Sequence, residues 1–213
     1  MKWLSVLFFG LVSMISLAED LEITPCRKRA KTQLILNGSG IRTKRIGFQP
    51  FVKTIDVYKA NLYLKKITHN AEEIMKSSDF KELELEILKL PFGRKLAASD
   101  MQDGLDVGWK GNAHLFLGED LRVKMEKHHA RLQEIIRGMG ELSEGDRFLF
   151  CFFPDRIEFF TKKGREPYVA LKPASGSNQI PDSLFSRFLL SFWIGNPPER
   201  NEKLKAGLLG IAP

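Results

Sequence analysis

Short runs of alternating apolar and polar residues recur along this chain and predict β-strands. Glutamates alternate with leucine and isoleucine from Glu82 to Ile87, which predicts a strand with one face in solvent. The run from Phe148 to Phe153 is apolar on both faces and predicts a strand in the centre of its sheet. Alternation also predicts strands over Thr32 to Leu36 and Phe51 to Leu64. The strands are therefore expected on both sides of a central helical region.

Helical spacing of apolar residues marks the other elements. From Leu121 to Met139 they recur at steps of three and four, and weaker helical patterns cover Arg94 to Trp109 and Ala71 to Lys76. A last apolar helix has Pro181 in its first turn and ends at Gly195. Hairpin-length connections between the strands favour the α+β class, an antiparallel sheet with helices packed on one face.

The segment from Gly38 to Lys65 combines a glycine pair with a long strand. Gly38 and Gly40 permit a positive φ and a close approach of backbone or ligand, so we expect a tight turn that places Arg42 at its exit. In the strand that follows, Tyr58 and Tyr63 fall on opposite faces, because successive side chains alternate. Val57 is expected on the same face as Tyr63.

The N-terminus has the pattern of a secretory signal peptide. One lysine precedes an apolar stretch, and a small-x-small sequence follows at residues 16–18, so we predict residues 1–18 as the signal and 19–213 as one domain. Glu19 stands where a lipidated cysteine would begin the mature chain, so a soluble periplasmic or secreted product is expected. An uncleaved membrane anchor is the alternative, and it would be the chain's only membrane partner.

Composition and charge narrow the classes of function. The net charge is +7, yet most basic residues are interleaved with acidic ones, so we expect a solvated surface and no nucleic-acid partner. His128 and His129 are adjacent, and His69 and His114 have no ligands at metal-binding spacing, so no metal site is predicted. Nucleotide and hydrolase motifs are absent, and no cofactor is expected.

Two cysteines remain in the predicted mature chain, Cys26 near its start and Cys151 in the central aromatic strand. In an oxidising compartment they could form a disulfide. A buried free thiol at Cys151 that packs as a small apolar side chain is the alternative.

Two motifs that bracket the domain resemble a known family. A Gly-x-Gly-x-Arg segment is followed by a strand closing in Tyr63 and Leu64, and LLSFWIGNPPERNEKLKAGLLG covers residues 189–210. Both resemble the chalcone isomerase fold, in particular its exported bacterial chalcone-isomerase-like branch. The resemblance implies an open-faced β-sandwich with a ligand cleft between sheet and helices.

Position by position, the chain keeps little of the polar set that the resemblance implies for an isomerase. Arg42 matches the arginine that holds the anionic substrate, whereas Tyr58 stands in the place of a threonine. Where the family has its catalytic tyrosine, this chain has Leu96 or Ala97. Where the family has the asparagine partner of that tyrosine, this chain has Asp103 or Gly104. Phe192 and Trp193 stand where the family has threonine and methionine. The expected cleft is therefore apolar and aromatic, with one guanidinium.

Such a cleft suits a carboxylate with a hydrocarbon tail. We therefore expect a non-catalytic domain that binds a fatty acid or a similar small apolar anion, including polyphenol-like ligands. The candidate ligand-binding residues are Arg42, Tyr58, Tyr63, Asp103, Phe192 and Trp193.

Three alternatives stay open. The first is an isomerase, an intramolecular lyase for chalcone-like enones, with Arg42 and Tyr58 as catalytic candidates. The second is an envelope scaffold that binds a protein partner. The third concerns Arg42 alone, which could pair with a carboxylate inside the fold and have only a structural role.

Overall fold

Seven strands form one antiparallel sheet in the described part of the chain. The computed structural model describes residues 23–48, 50–116, 118–171, 173, 176–195 and 202–211, although the side chains of 114–116 are left out. The predicted signal peptide (1–18), the side chain of His114 and residues 196–201 therefore lie outside the described residues. Among the described residues, no helix is long and apolar enough to cross a membrane.

The strands follow the chain in order across the sheet, β1-β2-β3-β4-β5-β6, and β7 pairs with β5. Their bounds are β1 Ile35–Ile46, β2 Lys53–Leu64, β3 Lys81–Ile87, β4 Arg147–Phe152, β5 Ile157–Lys162, β6 Val169–Ala170 and β7 Gln179–Ile180. The central position predicted for the phenylalanine-rich strand is confirmed, because β4 lies between β3 and β5 with both of its faces covered.

The helices are α1 Pro25–Ala30, α2 Ala71–Lys76, α3 Ala98–Phe116, α4 Glu119–Arg137, α5 Ser183–Ile194 and α6 Glu202–Leu208, and a 3-10 turn covers Pro91–Gly93. Side chains from α2 to α6 share one apolar core with one face of the sheet, which confirms the α+β architecture. The short helix α1 lies on the opposite face, over a smaller cluster. The sequence pattern gave no indication of α1.

Helix ends follow the expected capping chemistry in most cases. Asn70 caps α2, and Gly138 and Gly140 follow α4 as predicted, with Gly140 at a φ of 68°. The predicted start of α5 was two residues early. Pro181 lies before the helix, and Asp182 caps it by accepting a hydrogen bond from the Phe185 N–H at 2.8 Å.

The predicted glycine turn is wrong, because Gly38 and Gly40 lie inside the continuous strand β1 and neither has a positive φ. The glycines serve close packing instead. A Cβ atom on Gly40 would lie 2.4 Å from the Leu204 carbonyl oxygen of α6, and one on Gly38 would lie 2.2 Å from the Gly207 oxygen. These glycines therefore let the backbone of α6 lie directly against β1. The close approach of backbone that was expected at Gly38 and Gly40 is thus present.

The predicted solvent face of β3 is also wrong. Glu82 is 0% exposed and Glu84 is 5% exposed, because α1 and neighbouring side chains cover them. Arg27 of α1 donates from Nε to Glu82 at 2.6 Å. Burial raises the pKa of Glu82, and the positive charge of Arg27 partly offsets that effect. The alternating pattern identified the strand correctly but not the partners of its acidic face.

A disulfide joins α1 to the central strand. It links Cys26 and Cys151, so the alternative of a free buried thiol at Cys151 is wrong. The bond fixes α1 over the buried glutamates of β3, because Cys151 lies directly opposite Glu82 in the ladder between β3 and β4.

Candidate functional site

A cavity of about 280 Å³ lies between the open end of β1 and β2 and the helices α3 and α5. Its walls are mainly apolar and include Ile55, Val57, Leu90, Met101, Leu105 and Phe192. The position agrees with the cleft between sheet and helices that the sequence resemblance implied.

A β-bulge in β2 shapes the sheet side of this cavity. Arg42 pairs with Tyr58 while the next residue, Thr43, pairs with Asp56, so Val57 is an additional residue in β2. Both Val57 and Tyr58 consequently line the cavity. Simple alternation had placed Val57 on the opposite face, and the bulge is the reason that this expectation is wrong.

Tyr58 is anchored to α5 by Trp193. The indole Nε1 of Trp193 donates to the Tyr58 hydroxyl oxygen at 3.2 Å, and the indole packs edge-to-face on Phe150 of β4. Burial raises the pKa of Tyr58, while the positive charge of Arg42 and the Trp193 hydrogen bond oppose this effect. The phenol therefore stays protonated at neutral pH and keeps its own hydrogen to donate.

Arg42 is half-buried and lies opposite Tyr58, with which it pairs in the ladder between β1 and β2. Within the described residues no carboxylate lies within ion-pair distance of its guanidinium, whereas Lys44 at the same rim lies 3.6 Å from Asp100. The alternative that Arg42 pairs with an internal acid is therefore not observed in the described part of the chain. A half-buried guanidinium without a counter-ion, beside a phenol donor, can accept a carboxylate.

The structure brings together five of the six candidate residues. Arg42, Tyr58, Asp103, Phe192 and Trp193 all line the cavity, with Asp103 exposed at its rim.

Tyr63 does not line the cavity, because it lies five positions after Tyr58 in the strand, an odd number, and therefore faces the opposite side of the sheet. There Arg27 lies over its ring, at 4.4 Å from the centroid, and its hydroxyl lies 3.5 Å from Glu84. Burial and the nearby negative charge of Glu84 raise the pKa of Tyr63 to about 12. Tyr63 thus belongs to the buried polar network under α1.

Further residues at the cavity had not been predicted. Lys44, Asp100, Phe92 and Arg94 also line it. Gly108 of α3 lies so close to α5 that a Cβ there would be 2.5 Å from the Phe192 ring. Two glycines four residues apart in a helical pattern, Gly104 and Gly108, were the available signal for that close contact.

The positions that correspond to the isomerase donors do not supply equivalent groups. Leu96 is buried in a β-bridge with Leu142, with hydrogen bonds of 2.8 and 2.9 Å. Ala97 and Gly104 carry no polar side-chain atom, and Asp103 carries a carboxylate in place of an amide. Among the positions matched to the isomerases, the half-buried polar side chains that line the cavity are therefore Arg42 and Tyr58.

The histidines with described side chains lie elsewhere. His128 lies 3.3 Å from Asp182, and His129 lies 2.7 Å from Asp106 between α3 and α4. Among the described residues, one group of potential metal ligands lies close together, namely Cys26, Glu82 and Cys151. The two cysteines of this group are joined to each other in the disulfide.

Comparison with known proteins identifies the class. The family described as chalcone isomerase-like matches residues 18–210. This chain belongs to the chalcone isomerase-like family. The family resemblance inferred from the sequence is thus confirmed, and its assignment to an exported bacterial branch stays a prediction.

Solved structures support the same fold. A crystal structure of a fatty-acid binding protein from Arabidopsis thaliana aligns with a TM-score of 0.55 and 14% sequence identity, over 83% of this chain and 86% of that chain. At this identity the likeness establishes the fold alone. No curated protein matches the chain.

Proposed function

We propose that this protein binds a fatty acid or a similar small apolar carboxylate in the cavity between the sheet and α3 and α5, without catalysing a reaction. One observation carries the proposal: Arg42 is half-buried beside an apolar cavity and has no carboxylate partner within the described residues. A ligand carboxylate would provide the missing counter-ion.

The two polar groups suit a carboxylate for complementary reasons. The guanidinium of Arg42 presents parallel N–H groups that match the two oxygens of a carboxylate. Tyr58 already accepts a hydrogen bond from Trp193, so its hydroxyl hydrogen is available for the ligand. Lys44 is less suited, because Asp100 lies 3.6 Å from its ammonium group.

The walls favour a ligand with a hydrocarbon part. Phe192, Leu105 and Met101 are buried side chains that offer no hydrogen bond to a polar ligand. The volume of about 280 Å³ lies just below the range for small-molecule pockets, about 300–1,000 Å³. A short or medium hydrocarbon chain therefore fits better than a long one. The fatty-acid binding named for the Arabidopsis protein of the same fold supports this choice of ligand class.

The decisive experiment is extraction of the purified protein followed by lipid mass spectrometry, together with thermal unfolding in the presence of fatty acids of increasing chain length. We expect a co-purified carboxylate or a raised Tm. Arg42→Ala should weaken binding by about 1.5–3 kcal/mol, because it removes charged hydrogen bonds in a partly buried site. Arg45→Ala is the matched control, since Arg45 lies three residues along the same strand and does not line the cavity. An empty protein whose Tm no fatty acid changes would contradict the proposal.

The isomerase alternative uses the same pair of residues. Arg42 and Tyr58 could together stabilise negative charge that develops on an enone substrate. Incubation with a panel of chalcones, with the spontaneous reaction as reference, distinguishes the two functions. Cyclisation above the spontaneous rate that is lost in Tyr58→Phe would favour the enzyme.

The scaffold alternative predicts a different result, a protein partner that co-purifies in a fixed ratio while the cavity stays empty. Arg42 would then need an internal acidic partner, and within the described residues it has none.

For the compartment we propose export with cleavage after Ala18, which gives a periplasmic or secreted product. The Cys26–Cys151 disulfide supports this placement, because disulfides persist in oxidising compartments.

A further inference from the structure

Three exposed phenylalanines lie at one end of the sheet. Phe48 and Phe51 belong to the hairpin between β1 and β2 and are 74% and 73% exposed, and Phe92 follows β3 and is 99% exposed. The antiparallel order places the end of β1, the start of β2 and the end of β3 at the same end of the sheet, where the hairpin extends beyond the Tyr58–Ile87 pair that ends the β2–β3 ladder. The backbone agrees, because the Leu88 N–H donates to the Val57 carbonyl at 3.1 Å.

Core packing does not account for these side chains. The other phenylalanines with described side chains are buried: Phe80, Phe148, Phe150, Phe152, Phe153, Phe159, Phe160, Phe185, Phe188 and Phe192. Phe92 also has a left-handed backbone with a φ of 58°, which is uncommon for a residue with a side chain. Its ring is thus held in solvent by a conformation that is unfavourable locally, and no contact in the core compensates for it.

The segments that carry these rings are basic. Segments 44–56 and 88–100 contain six basic residues and two acidic ones. The basic residues are Lys44, Arg45, Lys53, Lys89, Arg94 and Lys95, and the acidic residues are Asp56 and Asp100. Asp100 lies 3.6 Å from Lys44, and Glu141 of a neighbouring segment lies 3.5 Å from Lys95. A net positive charge remains on this end of the sheet.

The order of apolar and charged residues is the same in both segments. In the hairpin, Phe48 and Phe51 are at the tip, and Arg45 and Lys53 lie behind them on the strands. In the second segment, Phe92 is in the turn, and basic residues stand on both sides of it. Aromatic tips in front of a basic layer match a surface that is negative outside and apolar beneath.

We propose that this end of the sheet docks on an anionic phospholipid bilayer, with Phe48, Phe51 and Phe92 entering the lipid chains while the basic side chains meet the headgroups. Anionic headgroups attract clustered basic residues, and the acyl chains behind them take up apolar rings. A protein partner would need no such layered order. Docking of this kind goes beyond ligand binding and does not depend on it, although Phe92 and Ile46 also line the cavity.

The first test measures binding of the full chain to sedimented vesicles of phosphatidylcholine containing one third phosphatidylglycerol. We expect the double variant Phe48→Ser/Phe51→Ser to bind at least about tenfold more weakly, because burial of one phenylalanine ring is enough for such a factor. The control is Ile67→Ser/Val169→Ser, which removes two similarly exposed apolar side chains elsewhere on the surface and should bind like the wild type. The N-terminal apolar stretch is common to all variants, so any vesicle binding by that stretch is the same in each. Differences in binding between the variants therefore come from the substituted residues.

Charge gives an independent readout. Lys53→Gln/Arg94→Gln should weaken binding to the same vesicles about fivefold or more for each basic residue, and binding to pure phosphatidylcholine should be weak for every variant. Added salt should weaken binding to the anionic vesicles. Equal binding of the wild type and the Phe48→Ser/Phe51→Ser variant would overturn the proposal.

A second measurement reports on insertion itself. In a Phe51→Trp variant, anionic vesicles should shift the additional tryptophan emission to shorter wavelength, and brominated lipids should quench it. Emission that stays water-like on bound vesicles would overturn the proposal. An emission shift that appears without vesicles when the protein concentration is raised would also overturn the proposal, because it would assign the surface to contact with a second copy of this chain.

The vesicle and ligand experiments can fail separately. Phe48→Ser/Phe51→Ser leaves the cavity walls intact and should keep fatty-acid affinity in vesicle-free buffer. Arg42→Ala should lose that affinity and still bind anionic vesicles. A wild type that binds fatty acid but no anionic vesicle would overturn docking alone.

Discussion

Tyr58 occupies a position where one hydroxyl serves two neighbours. Its oxygen accepts from Trp193, which fixes the ring against α5, and it donates no hydrogen bond to another of the described residues. The neighbouring guanidinium of Arg42 supplies charge without competing for that hydrogen, because an arginine accepts no hydrogen bond. Strand register, through the cross-strand pairing of these two residues, therefore determines the chemistry of the cavity.

Tyr58→Phe separates the two contributions of this hydroxyl. Loss of a hydrogen bond to a charged ligand should weaken carboxylate binding by about 1.5–3 kcal/mol. The Trp193 N–H loses its acceptor at the same time, so the free energy of unfolding should fall by about 0.5–1.5 kcal/mol. Calorimetric titration with a medium-chain fatty acid and urea unfolding measure the two effects. Unchanged affinity in this variant would place the carboxylate elsewhere.

The pH dependence of binding follows from the same group. Burial raises the pKa of Tyr58, and the donating form is the protonated one. Affinity of the wild type should therefore stay constant as the pH rises through 9, since the phenol loses its proton only above its ordinary range. A fall in affinity below pH 9 that is absent in Tyr58→Phe would show that the phenol titrates earlier than its burial implies.

Asp103 adds negative charge at the rim of a cavity proposed for an anion. Replacement by asparagine removes repulsion of the ligand and should strengthen carboxylate binding by about 0.2–1 kcal/mol, the range for exposed charge pairs. The gain should shrink in high salt. Titrations at two salt concentrations measure it, and weaker binding in Asp103→Asn would instead assign this carboxylate a direct contact with the ligand.

Sequence reasoning located the cavity residues where a motif or a strand pattern fixed their direction. Arg42 and Tyr58 followed from the matched motif, whereas Tyr63 was assigned to the cavity although alternation had placed it on the other face. Phe92 carried no signal, because one phenylalanine beside proline and glycine does not reveal whether its ring is buried. Such exposure depends on tertiary contacts that periodicity does not contain.

At the scale of elements, the contact between β1 and α6 depends on the absence of side chains. The backbone of α6 meets β1 at Gly38 and Gly40, and Asn37 adds a hydrogen bond from Nδ2 to the Leu208 carbonyl at 2.9 Å. Gly207 contributes from the helix side, since its Cβ would lie 2.3 Å from the Ser39 oxygen. Glycines on both elements are therefore needed at one place.

Gly40→Ala should destabilise the fold by about 1–3 kcal/mol, because the added methyl group forces α6 away from the strand. Gly104→Ala is the matched control. It lies in α3 with no atom within 4 Å of the added methyl, and the better helix propensity of alanine should stabilise the protein by about 0.5–1 kcal/mol. Urea unfolding of both variants tests the contrast. Equal stability of the wild type and Gly40→Ala would show that α6 moves at no cost.

The acidic strand β3 illustrates what local pattern can and cannot predict. Alternation of glutamate with leucine and isoleucine predicted a strand correctly at Glu82 to Ile87, because side-chain direction follows from backbone geometry. Its acidic face is nevertheless buried, since Arg27 and the disulfide bring α1 over it. The partners of a buried charge come from distant parts of the chain, and no local pattern carries them.

At the scale of the molecule, the disulfide closes a loop with a sequence separation of 125 residues. Replacement of Cys26 and Cys151 by alanine should lower the free energy of unfolding by about 2–5 kcal/mol, because a long loop gains much freedom in the unfolded chain. Denaturant unfolding with and without reductant measures the effect. The double variant should be insensitive to reductant, and a wild type equally stable in both conditions would contradict the prediction.

Export is tested by cell fractionation and N-terminal sequencing. We expect a mature protein outside the cytoplasm that begins at or within about two residues of Glu19, because the sequence at residues 16–18 has the small-x-small pattern of a cleavage site. Full-length protein in the cytosol or the inner membrane would contradict this placement.

The contact between α6 and β1 also sets an order of events during synthesis. Residues 202–211 follow all seven strands along the chain, yet they lie against the glycines of β1. Until they arrive, one face of β1 has no helix against it, and the carbonyl of Leu208 is not there to meet Asn37. Completion of the native fold therefore has to follow the synthesis of α6. A polypeptide with this arrangement keeps β1 uncovered until α6 has been made, and its stability depends on α6 as much as on the strand that α6 covers.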